Sequence, residues 1–280
     1  MKTLLANPVL IKEVKLRFRS MKSFTGILFY LMAMSIFVFG FIFLTTSLTG
    51  SGFFRPDESF LLFSMMTYIQ LGLILFITPG LTAGTISTER EKQTLNILLT
   101  TAQTSFQIIF GKMTSSIAFL LLMIVSGLPI YSLVFLYGGV DPLQIVVIFL
   151  FYFLTLLAIG SIGVMYSTII RKTIVSMIVT YGTMIFLSVV TAFFLLLSIQ
   201  ISTLGTGTPT FSPFSYLWAS INPAIVMLTL LQPGFAQEIQ TMTAIELPLW
   251  VGYLVFYSLL TAGALWLAVK RLRVNMNKYK

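Results

Sequence analysis

Six apolar runs, each long enough to cross a bilayer, govern what this chain can fold into. Spanning a hydrocarbon core takes roughly 20 residues of helix. The runs at 24–48, 60–87, 107–136, 143–170, 173–200 and 247–269 all meet that length. They are continuous rather than alternating, so they predict helices and not barrel strands. Charged residues make up 9% of the 280 positions and hydrophobic ones 57%, whereas soluble domains carry about 25% charged residues. No polar stretch is long enough to bury a core of its own. The expectation is a single all-α integral membrane domain over 1–280.

The basic residues fix an expected orientation. With both termini inside, the inner face holds Lys2, Lys12, Lys15, Arg17, Arg19, Lys22, Arg90, Lys92, Lys112, Arg171, Lys172, Lys270, Arg271, Arg273, Lys278 and Lys280, and only Arg55 falls outside. That is the pattern of positive-inside topology. Because these residues flank apolar runs, the net charge of +9 reflects topology, and no nucleic-acid partner is expected. The opening apolar stretch is short and runs into Lys12–Lys22, so it reads as the flank of an uncleaved anchor.

Absences narrow the chemistry. The chain has no Cys and no His, which removes thiol chemistry, zinc sites built on either residue, and Ser-His catalysis. No metal site is expected. No Asp or Glu lies centrally in an apolar run, which argues against an internal carboxylate relay. Gly111-Lys112-Met113 is not a phosphate-binding P-loop, so the chain carries no ATPase motif of its own and is not expected to be an enzyme. A translocation path would have to be lined by neutral groups, with Thr67, Tyr68, Gln70, Tyr166, Thr180 and Tyr181 as candidates. An interior rich in Phe (26) and Tyr (11) favours an amphipathic cargo.

Three segments lie between or beside the spans. Over 7–22, Leu10, Ile11, Val14, Phe18 and Met21 share one helical stripe, while Lys12, Lys15, Arg19 and Lys22 share the next, with Glu13 and Arg17 four residues apart. This predicts an amphipathic helix on the inner surface whose basic residues, Arg17 included, meet anionic lipid. Over 88–105 the chain becomes polar. Arg90 and Lys92 would each cost roughly 2.5–3.5 kcal/mol at a bilayer centre, so this segment belongs in water or against a partner. Thr88 and Glu91 have the spacing of a capping box, predicting a short capped helix with Leu95, Leu98 and Leu99 on one face. The stretch 201–246 begins with Gly, Thr, Pro and Ser, then carries an apolar segment at 216–231 broken by Asn222-Pro223. It predicts a re-entrant or interfacial helical segment before the last span.

One string now carries a resemblance: Ile86-Ser87-Thr88-Glu89-Arg90-Glu91-Lys92-Gln93-Thr94-Leu95, then Leu98-Leu99-Thr100-Thr101, then Gly111-Lys112. It resembles the permease subunits of type 2 ABC exporters, as do Asn7-Pro8-Val9-Leu10, Lys12-Glu13 and Arg17 at the start. Ala102 stands where many members have Pro. The resemblance implies an N-terminal amphipathic connecting helix and a cytoplasmic coupling helix between spans two and three. Glu89, Arg90, Glu91, Thr94, Leu98 and Thr101 would then contact a separate ATP-binding cassette subunit. It further implies that ATP and Mg are used by that partner and no cofactor by this chain. A second permease subunit, identical or not, would complete the path in a bacterial cytoplasmic membrane. Two other readings fit the residues: a non-transporting scaffold that recruits a cytosolic protein, and an ion-coupled carrier.

Overall fold

The computed structural model describes residues 8–49, 56–95, 103–137, 140–204, 212–243 and 245–277, and every regular element among them is a helix. In chain order these are α1 (Pro8–Phe18), α2 (Met21–Thr49), α3 (Pro56–Thr82), α4 (Ser87–Glu91), α5 (Ser105–Ser126), α6 (Leu128–Tyr137), α7 (Pro142–Ile169) and α8 (Thr173–Ile185). A π-helical turn, Phe186–Val190, joins α8 to α9 (Thr191–Leu204). Then follow α10 (Pro213–Ile221), α11 (Pro223–Leu231), α12 (Pro233–Thr243) and α13 (Leu249–Asn277).

Six helical stretches are long and apolar enough to cross a membrane: Ser23–Ser47, Glu58–Glu91, Ser105–Val134, Pro142–Ile169, Thr173–Ile201 and Leu249–Leu272. They coincide with the six expected runs to within a few residues. The protein is therefore an all-α, multi-pass membrane protein. In the second stretch the regular helix ends at Thr82, a turn follows, and α4 carries the charges. The apolar span is α3, and α4 lies beyond it.

The fourth span, α7, is the axis of the bundle. It packs against α3, α5, α8, α11 and α13, and 61% of its most apolar window is buried, against 17% for the first span and 22% for the fifth. Small residues on α7 make this possible, because they let helices approach where lipid offers no hydrophobic drive. A Cβ at Gly163 would overlap the Thr82 side chain and lie 3.2 Å from the Ala83 amide nitrogen. Gly163→Ala is accordingly expected to destabilise the protein by about 1–3 kcal/mol, despite the better helix propensity of Ala. Thermal unfolding in detergent measures this, and an unchanged or raised midpoint would contradict it.

Aromatic residues dominate the core around α7. Tyr131, Tyr152, Tyr253 and Tyr257 are all fully buried. Tyr253 stacks on Tyr257 at 4.1 Å between centroids and lies 4.8 Å from Phe151. Buried hydroxyls need partners in this environment, and Tyr152 donates to the Thr67 carbonyl at 2.7 Å while Tyr253 and Thr155 share a bond of 2.7 Å.

Two spans depart from the sequence expectation, whereas the apolar segment before the last span breaks at Asn222-Pro223 as expected. The third span is not one helix, since α5 and α6 meet at Gly127, just before Pro129. A Cβ at Gly127 would collide with the Tyr30 hydroxyl of α2. The fifth span contains the π-helical turn. The apolar segment at 216–231 forms a pair, α10 and α11, bent by 89°, and a further helix, α12, follows it. All three of these short helices begin at a proline, which suits the first helical position because its missing N–H would be unpaired there.

Candidate functional site

The polar insert docks into its own chain. An isolated helix as short as α4 cannot hold itself together in water, so its ends must be satisfied from outside. The amides of Ile86 and Ser87 both donate to Ser167 Oγ near the end of α7, at 2.8 and 2.9 Å. Arg90 reaches the same helix end from the other side, donating to the Thr168 carbonyl at 2.9 Å and the Ile170 carbonyl at 3.4 Å. Glu91 accepts from the Thr173 amide at 2.8 Å and the Thr173 hydroxyl at 2.9 Å, at the start of α8. A cation thus sits at a helix C-terminus and an anion at a helix N-terminus, both favourable to the helix dipoles.

The Thr88–Glu91 capping box is therefore not formed. The Glu91 carboxylate is drawn to the orphan amide of α8 instead, and the Thr88 hydroxyl lies 3.3 Å from that of Thr173. A capping box does form at α5, where the Thr104 amide donates to Gln107 Oε1 at 3.0 Å and the Gln107 amide to Thr104 Oγ1 at 3.2 Å. Past Glu91 the chain reverses. Gln93 adopts φ 59°, the Gln93 amide bonds the Arg90 carbonyl at 3.1 Å, and the Thr94 amide bonds the Glu89 carbonyl at 2.9 Å. This is a Schellman termination with Gln in the left-handed position that glycine favours. The predicted single helix is thus divided, with Leu95 buried just beyond the turn.

Lys112 joins the insert to α1. It is 6% exposed, yet its ammonium contacts Glu13 of α1 at 2.8 Å and Glu89 of α4 at 3.1 Å. The Thr94 hydroxyl donates to the other Glu89 oxygen. The Glu89 carboxyl sits below its ordinary range. Partial burial pushes it up, but the Thr94 hydroxyl and the Lys112 ammonium together outweigh that. Glu91, fully exposed, is held low chiefly by its two bonds from Thr173. Burial pushes the Arg90 guanidinium down, with Arg171 adding to the effect.

Arg17 faces inward rather than joining the basic face. Glu13 spends its bond on Lys112, one Arg17 nitrogen is buried with no partner, and desolvation lowers its pKa against the pull of Glu13. A cleft of about 300 Å³ opens here, bordered by Glu13, Arg17, Gly84, Thr88, Glu89 and Lys112. Lys12, Lys15 and Arg19 are exposed, together with Ile11, Leu16 and Phe18. Lys22 already belongs to α2, because α1 ends at Phe18 and the chain breaks at Arg19–Ser20. Leu98 and Thr101 lie outside the described residues.

The neutral candidates for a pathway have hydrogen-bond partners in their own helix or in a neighbouring one. Thr67 and Thr180 are buried and bond carbonyls one turn back at 2.7 Å. Gln70 is buried and accepts from the Tyr30 hydroxyl of α2. Tyr68 donates to the Ala224 carbonyl at 3.2 Å and Tyr181 to the Phe76 carbonyl at 2.9 Å. Tyr166 accepts from the Thr183 hydroxyl at 3.3 Å. Gln70 is the exception in one respect, since its side-chain amide nitrogen is buried with no hydrogen-bond partner.

The sequence reading gave no role to Ser167, Thr173 or Glu13 at this site, nor any partner to Lys112. A signal existed for the last. Lys112 is a lone charge a few residues inside an apolar run, and such a charge requires an acid nearby. Compared with models of known protein families the chain matches none, and among curated proteins it has no significant match.

Proposed function

We propose that this chain is the membrane-spanning permease subunit of an ATP-binding cassette exporter in a bacterial cytoplasmic membrane, with both termini inside. It works with a separate ATP-hydrolysing subunit, which uses ATP and Mg, and with a second permease subunit. The observation that carries this reading is the wiring of the charged turn. One five-residue helix is bonded to the ends of α7 and α8 and, through Lys112, to α5 and α1. It also continues from α3. A push on the turn would therefore move four spans and the surface helix together, as a rigid-body transition requires.

The side chains that stabilise the turn differ from those a partner would grip. Glu89 and Arg90 are half-buried and used internally, whereas Lys92, Gln93 and Thr94 are exposed at the tip. The partner contact in this proposal centres on that tip, with Glu91 at its edge, while Glu89 and Arg90 keep it stiff. The bent pair α10–α11 is the re-entrant segment on the outer side, and the basic face of α1 lies on anionic inner-leaflet lipid. The path forms between two permease copies, in keeping with most of the candidate residues having hydrogen-bond partners within one. Lys92→Glu tests the contact. It is expected to weaken association with the ATPase subunit roughly tenfold with the thermal midpoint unchanged. Unaltered association in a folded variant would contradict it.

A further inference from the structure

The corner between α10 and α11 is tied to three spans, and one side chain there has every hydrogen-bonding position filled. Asn222 is completely buried. Its Oδ1 accepts from the Ala224 and Ile225 amides at 2.9 and 3.1 Å, capping α11. Its Nδ2 donates to the Ser188 carbonyl at 2.6 Å and to Thr191 Oγ1 at 2.9 Å. The Thr191 hydroxyl proton is spent on the Leu187 carbonyl at 2.8 Å, so Thr191 Oγ1 must accept. Two amide protons on one side and two acceptors on the other allow a single orientation of the Asn222 amide. Pro223 holds residue 222 extended, as a residue before proline must be.

Ser188 is the middle residue of the π-helical turn, Phe186–Val190. A π turn inserts one residue into a helix and disturbs the i→i−4 ladder, so it persists where something outside the helix compensates. The Asn222 amide compensates at Ser188. The same corner is held by Tyr257 of α13, donating to the Ile221 carbonyl at 3.0 Å, and by Tyr68 of α3, donating to the Ala224 carbonyl.

We propose that Asn222 is a latch that holds the fifth span in its π-turn register and makes α9 move with the α10–α11 hairpin. Without it, the turn relaxes toward regular α-helix. One residue of register is worth roughly 1.5 Å along the axis and 100° around it, so α9 would rotate relative to α8. The latch stands apart from the transport reading, because its readout is a distance within this chain.

The absence of cysteine makes the test direct. Ile178 on α8 and Leu196 on α9 are both exposed and flank the π turn, roughly 27 Å apart at 1.5 Å per residue. Each is replaced by Cys and spin-labelled, and the pair distance is measured in nanodiscs. The unaltered latch is expected to give one narrow distribution. Asn222→Ser keeps a good helix cap but is too short to reach Ser188, and is expected to add a second population displaced by several ångströms. Thr191→Val, which removes one of the two acceptors, is expected to shift a smaller fraction the same way and serves if Asn222→Ser fails to fold. Tyr257→Phe breaks one of the two other corner bonds and is expected to leave the distribution narrow. An unchanged distribution in folded Asn222→Ser and Thr191→Val would overturn the latch. So would an equal displacement in Tyr257→Phe, which would mean that the corner loosens generally.

Discussion

Lys112→Met is expected to destabilise the protein more than any other single change around the charged turn. Removing one partner of a buried ion pair costs about 3–5 kcal/mol. The value here should fall near the lower end, since Glu13 and Glu89 keep 28% and 31% of their side-chain exposure and can recruit water. Two carboxylates brought together by one ammonium would repel each other once it is gone. Helix α1 should therefore separate from α4 and α5. Thermal unfolding in detergent reads the first effect and proteolysis within α1 the second. Lys112→Arg should retain most of the stability. A Lys112→Met protein as stable and as resistant as the parent would show that the triad contributes little.

Ser167→Ala is the second large effect, and it acts through the backbone. One hydroxyl oxygen serves two buried amides, those of Ile86 and Ser87. Each donor left unsatisfied costs roughly 1–3 kcal/mol, so a total of about 2–4 kcal/mol is expected, with faster hydrogen exchange at 86 and 87. If exchange at those two amides stays slow while the rest of the protein is unaffected, the cap does not depend on Ser167.

The six apolar stretches were readable from the sequence because continuous hydrophobicity over twenty-odd residues has few structural outcomes. Gly127 and the π turn at Phe186–Val190 were not, for a shared reason. What each must fit comes from elsewhere in the chain: the Tyr30 hydroxyl leaves no room for a Cβ at Gly127, and the Asn222 amide bonds Ser188 within the π turn. The site was legible in composition but not in wiring. Glu89, Arg90 and Glu91 stood out as charges that had to leave the bilayer, and their spacing suggested a self-capped helix facing outward. The Thr88–Glu91 spacing describes only partners four residues apart or fewer. It is silent about Ser167 and Thr173, some eighty residues on, which offer helix ends nearer to hand. Asn222-Pro223 was legible as a break, and the target of its amide was not.

Co-purification tests the central claim most directly. The tagged protein is isolated in mild detergent from its own host, and the proteins retained with it are identified by mass spectrometry and assayed for ATP hydrolysis. The transport reading predicts a nucleotide-binding subunit that stays bound, hydrolyses ATP with sensitivity to vanadate, and is retained in smaller amount with Lys92→Glu. A stable, folded preparation with no ATPase partner would contradict it.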